Sequence, residues 1–441
     1  MTTRVLAAII LLASSLIAWL AISFALVARL LQAAIALSLV YVAYLALRGF
    51  QSMRDARRAT SSGGGVSAVE LPWITLLVAA RNEAPVIRAT VAALAGQEYG
   101  REGVPCFDVV VVDDGSTDGT DALAGEVAAD YPERVRVVRR EAVEGSRTKA
   151  GALQFADPLV RGDVVGVLDA DAQVGPGFIA AVMEAWGADA GAAAIQAQRR
   201  VHNVGDRWLA AAQDEELLMD MASQCGRRAT DGIAELRGNG MFVRRDALKR
   251  VGGWNVTALT EDLDLSTRLV AAGDRIALAP KAEVGEEGVV TLPALWRQRL
   301  RWAEGSLRRL MELGPDLLRA PTVRLGTKLD FLAFTGEFVI PPLFVTTIVA
   351  SLLTIPLPRP ADWTVPASLF IGYGIGTFLL AVAGLAATGQ GGPRLLWRAT
   401  RGSLFLSHWL VVVPAALLRI AIGRHATTFV QTRRVGHLLD R

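Results

Sequence analysis

Three acidic clusters and one basic, aromatic cluster hold the residues whose types and spacing could do chemistry. The first is Asp169-Ala-Asp171, which follows the apolar run Val-Val-Gly-Val-Leu. Carboxylates at i and i+2 leaving a strand point to the same side, and unpaired they repel. A hard divalent cation bridging to a diphosphate removes that repulsion. No Lys or Arg stands beside them in sequence, and the plain alternative is a solvated loop. The second is Asp113-Asp114-Gly115-Ser116, which would bring carboxylates and backbone N–H groups to a sheet edge, where a ribose or a base could bind; a capped turn would use the same residues. The third is Thr260-Glu261-Asp262, ahead of a helical pattern over 263–272. Thr260 there reads as an N-cap, and Asp262 in the first turn reads as a carboxylate kept charged by the helix dipole. It could take a proton from an incoming hydroxyl late in a transition state. Capping alone is the competing role. In the amphipathic stretch 291–313, Gln298, Arg301 and Trp302 fall at i, i+3 and i+4 and share one helix face. Arg301 could stabilise a leaving diphosphate and Trp302 could floor an acceptor. A membrane-surface anchor would have the same residues. Lys149 could reach a phosphate, or could be a surface lysine.

Short apolar runs alternating with helical patterns must position these groups. Strands are expected at 74–80, 108–112, 134–138 and 163–168, with a helix at 85–95 preceded by Asn82 and Glu83. Such alternation implies a mostly parallel sheet covered on both faces. Ligands in such sheets sit at the carboxyl ends of the strands, which is where every acidic cluster falls. Gly238-Asn239-Gly240 reads either as a place where backbone approaches a ligand closely or as a plain turn.

The rest of the chain is apolar. Of 441 residues 52% are hydrophobic, and the mean hydropathy is +0.36. That is too apolar for a purely soluble protein and excludes disorder as the main state. Charges nearly cancel at +3, which gives no argument for nucleic acid. Two cysteines exclude a disulfide scaffold, and the four histidines show no metal-ligand spacing. Apolar stretches fit two helices at about 5–26 and 31–48, separated near Arg29, and two more at about 329–355 and 365–388. The N-terminal stretch is too long for the core of a signal peptide. The linker 356–363 reads as a tight turn with an interfacial Trp. A fifth segment, 403–422, is expected to lie in the interface or turn back at Pro414, because a single crossing would put the basic tail outside. Arg48, Arg54, Arg57 and Arg58 predict a cytoplasmic middle domain in a multi-pass protein of the cell (inner) membrane. Amphipathic stretches at 206–221 and 292–311 could lie on the membrane surface.

Taken together and in order, Ala79-Ala-Arg-Asn-Glu83, Asp113-Asp-Gly-Ser116, Asp169-Ala-Asp171, Thr260-Glu-Asp262 and Gln298-Arg-Leu-Arg-Trp302 resemble the membrane-bound family 2 glycosyltransferases, over about 71–315. Val167–Val174, Glu235-Leu-Arg-Gly-Asn-Gly240, Gly252-Gly-Trp-Asn255, Glu286-Glu-Gly-Val289 and Arg301-Trp-Ala-Glu-Gly305 are similar, more narrowly, to the cyanobacterial β-monoglucosyldiacylglycerol synthase group within it.

The resemblance implies an α/β, Rossmann-like GT-A domain flanked by transmembrane helices at both ends. It also implies a nucleotide-sugar donor and inversion at the anomeric carbon. For the narrower group it implies glucose moved from UDP-glucose to diacylglycerol, with Mg²⁺ (or Mn²⁺). On this reading Asp113 or Asp114, with Glu83, holds the uridine. Asp169 and Asp171 hold the diphosphate through the metal, with Asp171 the direct ligand. Lys149, Arg301 and the face carrying Gln298 and Trp302 serve the departing UDP, and Asp262 is the base. Glu261, Gly238, Asn239 and Gly240 border the sugar and the acceptor. The expected partners are a UDP-sugar, a membrane lipid acceptor and the bilayer. The expected domains are transmembrane helices in 1–50, a linker at 51–70, the catalytic domain at 71–290, interface helices at 291–325, transmembrane helices in 326–424 and a basic tail at 425–441. A processive β-polysaccharide synthase and a non-catalytic membrane scaffold are the alternatives. The intact acidic residues argue against the scaffold. Five apolar segments are few for a polymer channel.

Overall fold

The computed structural model describes residues 2–58, 71–141, 148–205, 207–357 and 363–424. Two long helices open the chain, α1 (Thr3–Ser23) and α2 (Ala25–Arg58). They part at Phe24, whose backbone is extended, and not near Arg29, which lies inside α2. The expected linker at 51–70 therefore begins later, because α2 runs on through 51–58. The reason is packing: Phe50 and Met53 join Ala222 and Cys225 in one apolar cluster. The glycine-rich part of that linker lies outside the described residues, as do the tail from 425 and most of the turn near 358–362.

The middle domain follows with β1 (Ile74–Ala80), α3 (Ala84–Ala95), the short strands β2 (Gly100–Arg101) and β3 (Val104–Pro105), β4 (Phe107–Asp113), α4 (Thr120–Asp130) and β5 (Val135–Arg139). Next come α5 (Lys149–Ala156), β6 (Val164–Asp169), β7 (Gln173–Val174), α6 (Phe178–Ala188), β8 (Ala194–Val201) and α7 (Trp208–Arg228). The domain closes with β9 (Met241–Arg244), α8 (Arg245–Arg250), α9 (Glu261–Ala271) and β10 (Ile276–Glu286). Every residue of β4 is buried, as a near-continuous Val run requires in a sheet covered on both faces. The sheet order is β5-β4-β1-β6-β9-β8-β10-β7. Strands β5, β4, β1 and β6 are parallel, whereas β9 runs antiparallel to both β6 and β8. Register aligns Ala80 with Asp113 and Ala79 with Asp169. The acidic ends of β4 and β6 therefore leave the sheet at the same level, on either side of β1.

The remaining helices are α10 (Leu292–Arg319), α11 (Leu325–Thr335), α12 (Ile340–Thr354), α13 (Thr364–Ala387), α14 (Gly392–Leu406) and α15 (Trp409–Ala421). Among the described residues, five stretches are long and apolar enough to cross a membrane: Thr3–Ser23, Ala25–Arg58, Leu325–Thr354, Thr364–Ala387 and Gly392–Ala421. The last does not turn back at Pro414. It breaks at Ser407 and His408, and α15 continues through Pro414.

Helix α7 is not a membrane-surface helix either. It is wedged between β8 and the membrane helices α2, α13 and α14. A Cβ on Gly49 would stand 2.0 Å from the Ala222 carbonyl oxygen, and one on Gly226 2.2 Å from that of Leu45, so only glycines permit this crossing. The polar face of α7 meets arginines and not headgroups. Arg200 pairs with Asp214 at 2.8 Å, Arg398 and Arg401 with Glu215 at 2.8 and 2.9 Å, and Arg299 with Glu216. Amphipathicity alone cannot tell an ion-paired interior face from a wet one.

Candidate active site

The carboxyl ends of β1, β4 and β6 open onto a cavity of about 550 Å³, closed on its other sides by the start of α9, the middle of α10 and α7. Glu83 and Asp114 line one end. Asp113 does not. It is fully buried, accepts from the Ser116 N–H at 3.2 Å and pairs with Arg139 at 3.2 Å, so it holds the turn.

Lys149 is the first residue of α5, whose N-cap Thr148 accepts from the Gly151 N–H at 3.0 Å. That cap aims the ammonium across the sheet edge, where it donates to Asp169 and lies 3.5 Å from Glu261. Burial works against the charged lysine, but Asp169 and Glu261 outweigh it and hold its pKa above the ordinary value. The cation absent from the sequence around Asp169 is thus supplied from twenty residues upstream.

Asp171 is turned elsewhere. Its carboxylate is 2% exposed and accepts from the Glu287 N–H at 2.7 Å, tying the β6–β7 loop to the segment after β10. Asp169, and not Asp171, stands at the cavity wall. Among the described residues no group of three His, Cys, Asp or Glu side chains could cage a metal. The donors present are hard carboxylate oxygens beside a phosphate-sized space. That fits a cation which takes most of its ligands from a diphosphate and water.

Asp262 lies in the first turn of α9, and Glu261 beside it also lines the cavity. Thr260 occupies the N-cap position without a capping hydrogen bond; its side chain packs on Gly305, where a Cβ would meet it at 2.4 Å. The helix terminus does not keep Asp262 acidic. Burial, then the Glu261 charge, pushes its carboxyl up to about 6, against the Leu263 N–H bond at 2.8 Å and the charges of Lys149 and Arg237. A carboxylate so shifted is a better proton acceptor than an ordinary aspartate.

Gly238 lies beside both groups. It has φ +79°, and a Cβ there would stand 3.3 Å from Asp262 Oδ2 and 3.6 Å from Lys149 Nζ. Its partners in the motif serve the framework. Asn239 is fully buried and accepts from the Asp169 N–H at 3.1 Å, while a Cβ on Gly240 would strike Val284.

Gln298, Arg301 and Trp302 all face the cavity from α10. The Gln298 Oε1 is buried there and has no hydrogen-bond partner among the described residues. Arg299, one turn before Trp302, stacks on its ring at 4.2 Å and fixes the indole.

Arg237 and Arg199 are among the cavity-wall arginines that the sequence pattern did not single out. Arg237 pairs with Asp220 at 2.8 Å and Glu235 at 2.9 Å. Burial disfavours the Glu235 charge, yet Arg309, Arg237 and Arg227 hold its carboxyl down at about 2. Arg199 forks onto Glu286 with two 2.8 Å bonds and lies 5.6 Å over the Trp302 ring. Neither arginine is near its partners in sequence, apart from Glu235 two residues before Arg237, so spacing carried little signal.

The lower part of the cavity changes character. Ile35, Leu39 and Val42 of α2, Leu369 and Leu380 of α13, and Phe338 and Ile340 line it. Polar chemistry at the sheet edge and an apolar crevice between membrane helices are thus one continuous space.

A mixed sheet with carboxylates at its edge, joined to membrane helices, defines a nucleotide-sugar transferase architecture. The model of the family described as "Glycosyltransferase like family 2" matches residues 72–305, and the chain belongs to that family. Over 372 residues it is 34% identical to a β-monoglucosyldiacylglycerol synthase of Synechocystis, covering 84% of this chain and 76% of the relative. A synthase of the same name from Nostoc is 34% identical over 376 residues, 83% and 77% of the two chains. The solved structure of a mannosyltransferase from Pyrobaculum calidifontis, in complex with GDP-Man and Mn²⁺, superposes with a TM-score of 0.55 at 20% identity. It covers 88% of this chain and 99% of that one, and shares the GT-A fold.

Proposed function

We propose that the protein is an inverting glucosyltransferase that moves glucose from UDP-glucose to the hydroxyl of a 1,2-diacylglycerol, giving a β-monoglucosyl lipid. The observation that carries this reading is the single cavity running from Asp262 into an apolar crevice between α2, α12 and α13. A diacyl acceptor needs such a space: acyl chains in the crevice, hydroxyl at the carboxylate. A growing polysaccharide would call for a polar and aromatic track in place of Ile35, Leu39, Leu369 and Leu380. The names of the cyanobacterial relatives support the same donor and acceptor classes.

In this account Glu83 and Asp114 bind the uridine. Lys149 and Arg301 neutralise the diphosphate as the bond to the anomeric carbon breaks. Asp262 takes the acceptor proton while the acceptor oxygen attacks from the face opposite UDP. Gly238 keeps space beside the carboxylate, and Gln298 and Trp302 border the sugar. Mg²⁺ or Mn²⁺, held by Asp169 with Asp171 behind it, would supply further charge neutralisation when bound. The arginines in the C-terminal part of α2, Arg48, Arg54, Arg57 and Arg58, support a cytoplasmic catalytic domain on the inner membrane, where nucleotide sugars are available.

The test uses full-length protein in lipid–detergent micelles with radiolabelled UDP-glucose, dioleoylglycerol and Mg²⁺. One chloroform-soluble labelled product is expected, abolished by chelation and restored by Mg²⁺ or Mn²⁺. Label confined to water-insoluble, high-molecular-weight material would overturn the lipid reading in favour of a polymer synthase.

A further inference from the structure

The apolar stretch Leu325–Thr354 is long enough to cross a membrane, yet it is broken at Gly336–Phe338. Pro341 and Pro342 at the start of α12 explain the break, since their rings clash with the carbonyls of residues 337 and 338 in a continuous helix. The break carries Glu337, which lines the lower cavity and is exposed to it. A carboxylate at this depth is costly unless it has a task.

The arginines nearby already have partners. Arg227 is bound to Asp330 by bonds of 2.8 to 3.1 Å, Arg237 to Asp220 and Glu235, and Arg309 to Glu235 at 2.9 Å. Asp330 is further held by the Tyr41 hydroxyl at 2.9 Å. Among the described residues Glu337 has no hydrogen bond or ion pair. The crevice below the sugar site therefore presents, among the apolar side chains Phe338, Ile340, Leu369 and Leu380, one carboxylate without a hydrogen bond or ion pair of its own, facing the already paired Arg227 and Arg237.

We infer that Glu337 is a specificity residue that restricts the acceptor to an uncharged diacyl lipid by repelling phosphorylated lipids of the same tail length. The inference rests on the lipid-acceptor reading above and adds the charge rule. Like charges in a poorly screened crevice separate a neutral from an anionic headgroup by about tenfold or more. Tail contacts alone would treat the two lipids alike.

The experiment measures glucosyl transfer to dioleoylglycerol by the full-length protein in mixed micelles, with two competitors. One is dioleoylphosphatidic acid; the other is dioleoylglycerol with its hydroxyl methylated, neutral and unreactive. For the wild type, the methylated lipid is expected to compete at least tenfold better than phosphatidic acid. In Glu337→Gln that ratio is expected to collapse towards one, with the affinity for UDP as a check on folding. The wild-type ratio needs no variant, and competition by phosphatidic acid equal to that of the methylated lipid would overturn the inference. A ratio unchanged in a UDP-binding Glu337→Gln would overturn it as well. Absence of any glucolipid from the wild type would instead overturn the lipid-acceptor reading on which the inference stands.

Discussion

Replacing Lys149 by Met removes the cation that faces three carboxylates, and its effect on Asp262 can be worked from the geometry. Asp262 Oδ2 and Lys149 Nζ lie 3.3 and 3.6 Å from the point where a Gly238 Cβ would stand, so they are at most about 6.9 Å apart. At that distance, with an effective dielectric constant of about 20, the attraction is roughly 2 kcal/mol, or between one and two pH units. The lysine favours the ionised carboxylate, so its loss raises the Asp262 pKa from about 6. A general base works deprotonated, so the acid limb of kcat/KM should move from near pH 6 in the wild type to between pH 7 and 8 in Lys149→Met. The variant also loses a neutralising charge beside Asp169, which lowers activity at every pH. The diagnostic is therefore the shape of the profile: the deficit should be larger at pH 6.5 than at pH 9. A uniform loss with an unmoved acid limb would refute the electrostatic coupling and leave Lys149 a donor-side residue only.

Gly238→Ala should lower kcat/KM by about tenfold with a stability loss of about 1–2 kcal/mol, because φ is +79° and the methyl would crowd Asp262; kinetics and thermal melting check both. Arg237→Leu should destabilise the protein by about 3–5 kcal/mol, since it strands Glu235 and Asp220 in a buried network, read by denaturation in micelles. Asp169→Asn and Asp171→Asn should both weaken binding of UDP-glucose. Only Asp171→Asn should also lower stability, by about 1–2 kcal/mol, because its charge holds the Glu287 N–H in the interior.

The strand runs and their acidic ends were legible because a parallel sheet leaves a direct mark: Val-rich segments buried on both faces, each followed by polar turn residues. Ile74–Ala80 falls where the apolar run predicts it. The face shared by Gln298, Arg301 and Trp302 was equally legible, since helical spacing is local. What escaped depends on distance in sequence. Lys149 reaches Asp169 only because α5 packs on β1 and β4, and Arg237 meets Asp220 only because the loop before β9 folds back on α7. The burial that raises the Asp262 pKa is likewise a sum over elements, and it overrides the local helix-dipole argument. Residue types could not separate Asp113 from Asp114, because a turn anchor and a cavity-lining residue use the same carboxylate. The position of α7 was misread for a related reason, since its polar face is matched by arginines from β8, α10 and α14.

The anomeric configuration of the glucolipid, read from the anomeric proton coupling by NMR and compared between wild type and Asp262→Asn, tests the central claim most directly. UDP-glucose carries an α-linked sugar, so direct displacement with Asp262 as base predicts a β-glucolipid from the wild type. Asp262→Asn should lose about 10²–10⁴-fold in rate while retaining UDP binding. An α-linked product, or a β-product formed by Asp262→Asn at the wild-type rate, would contradict the account.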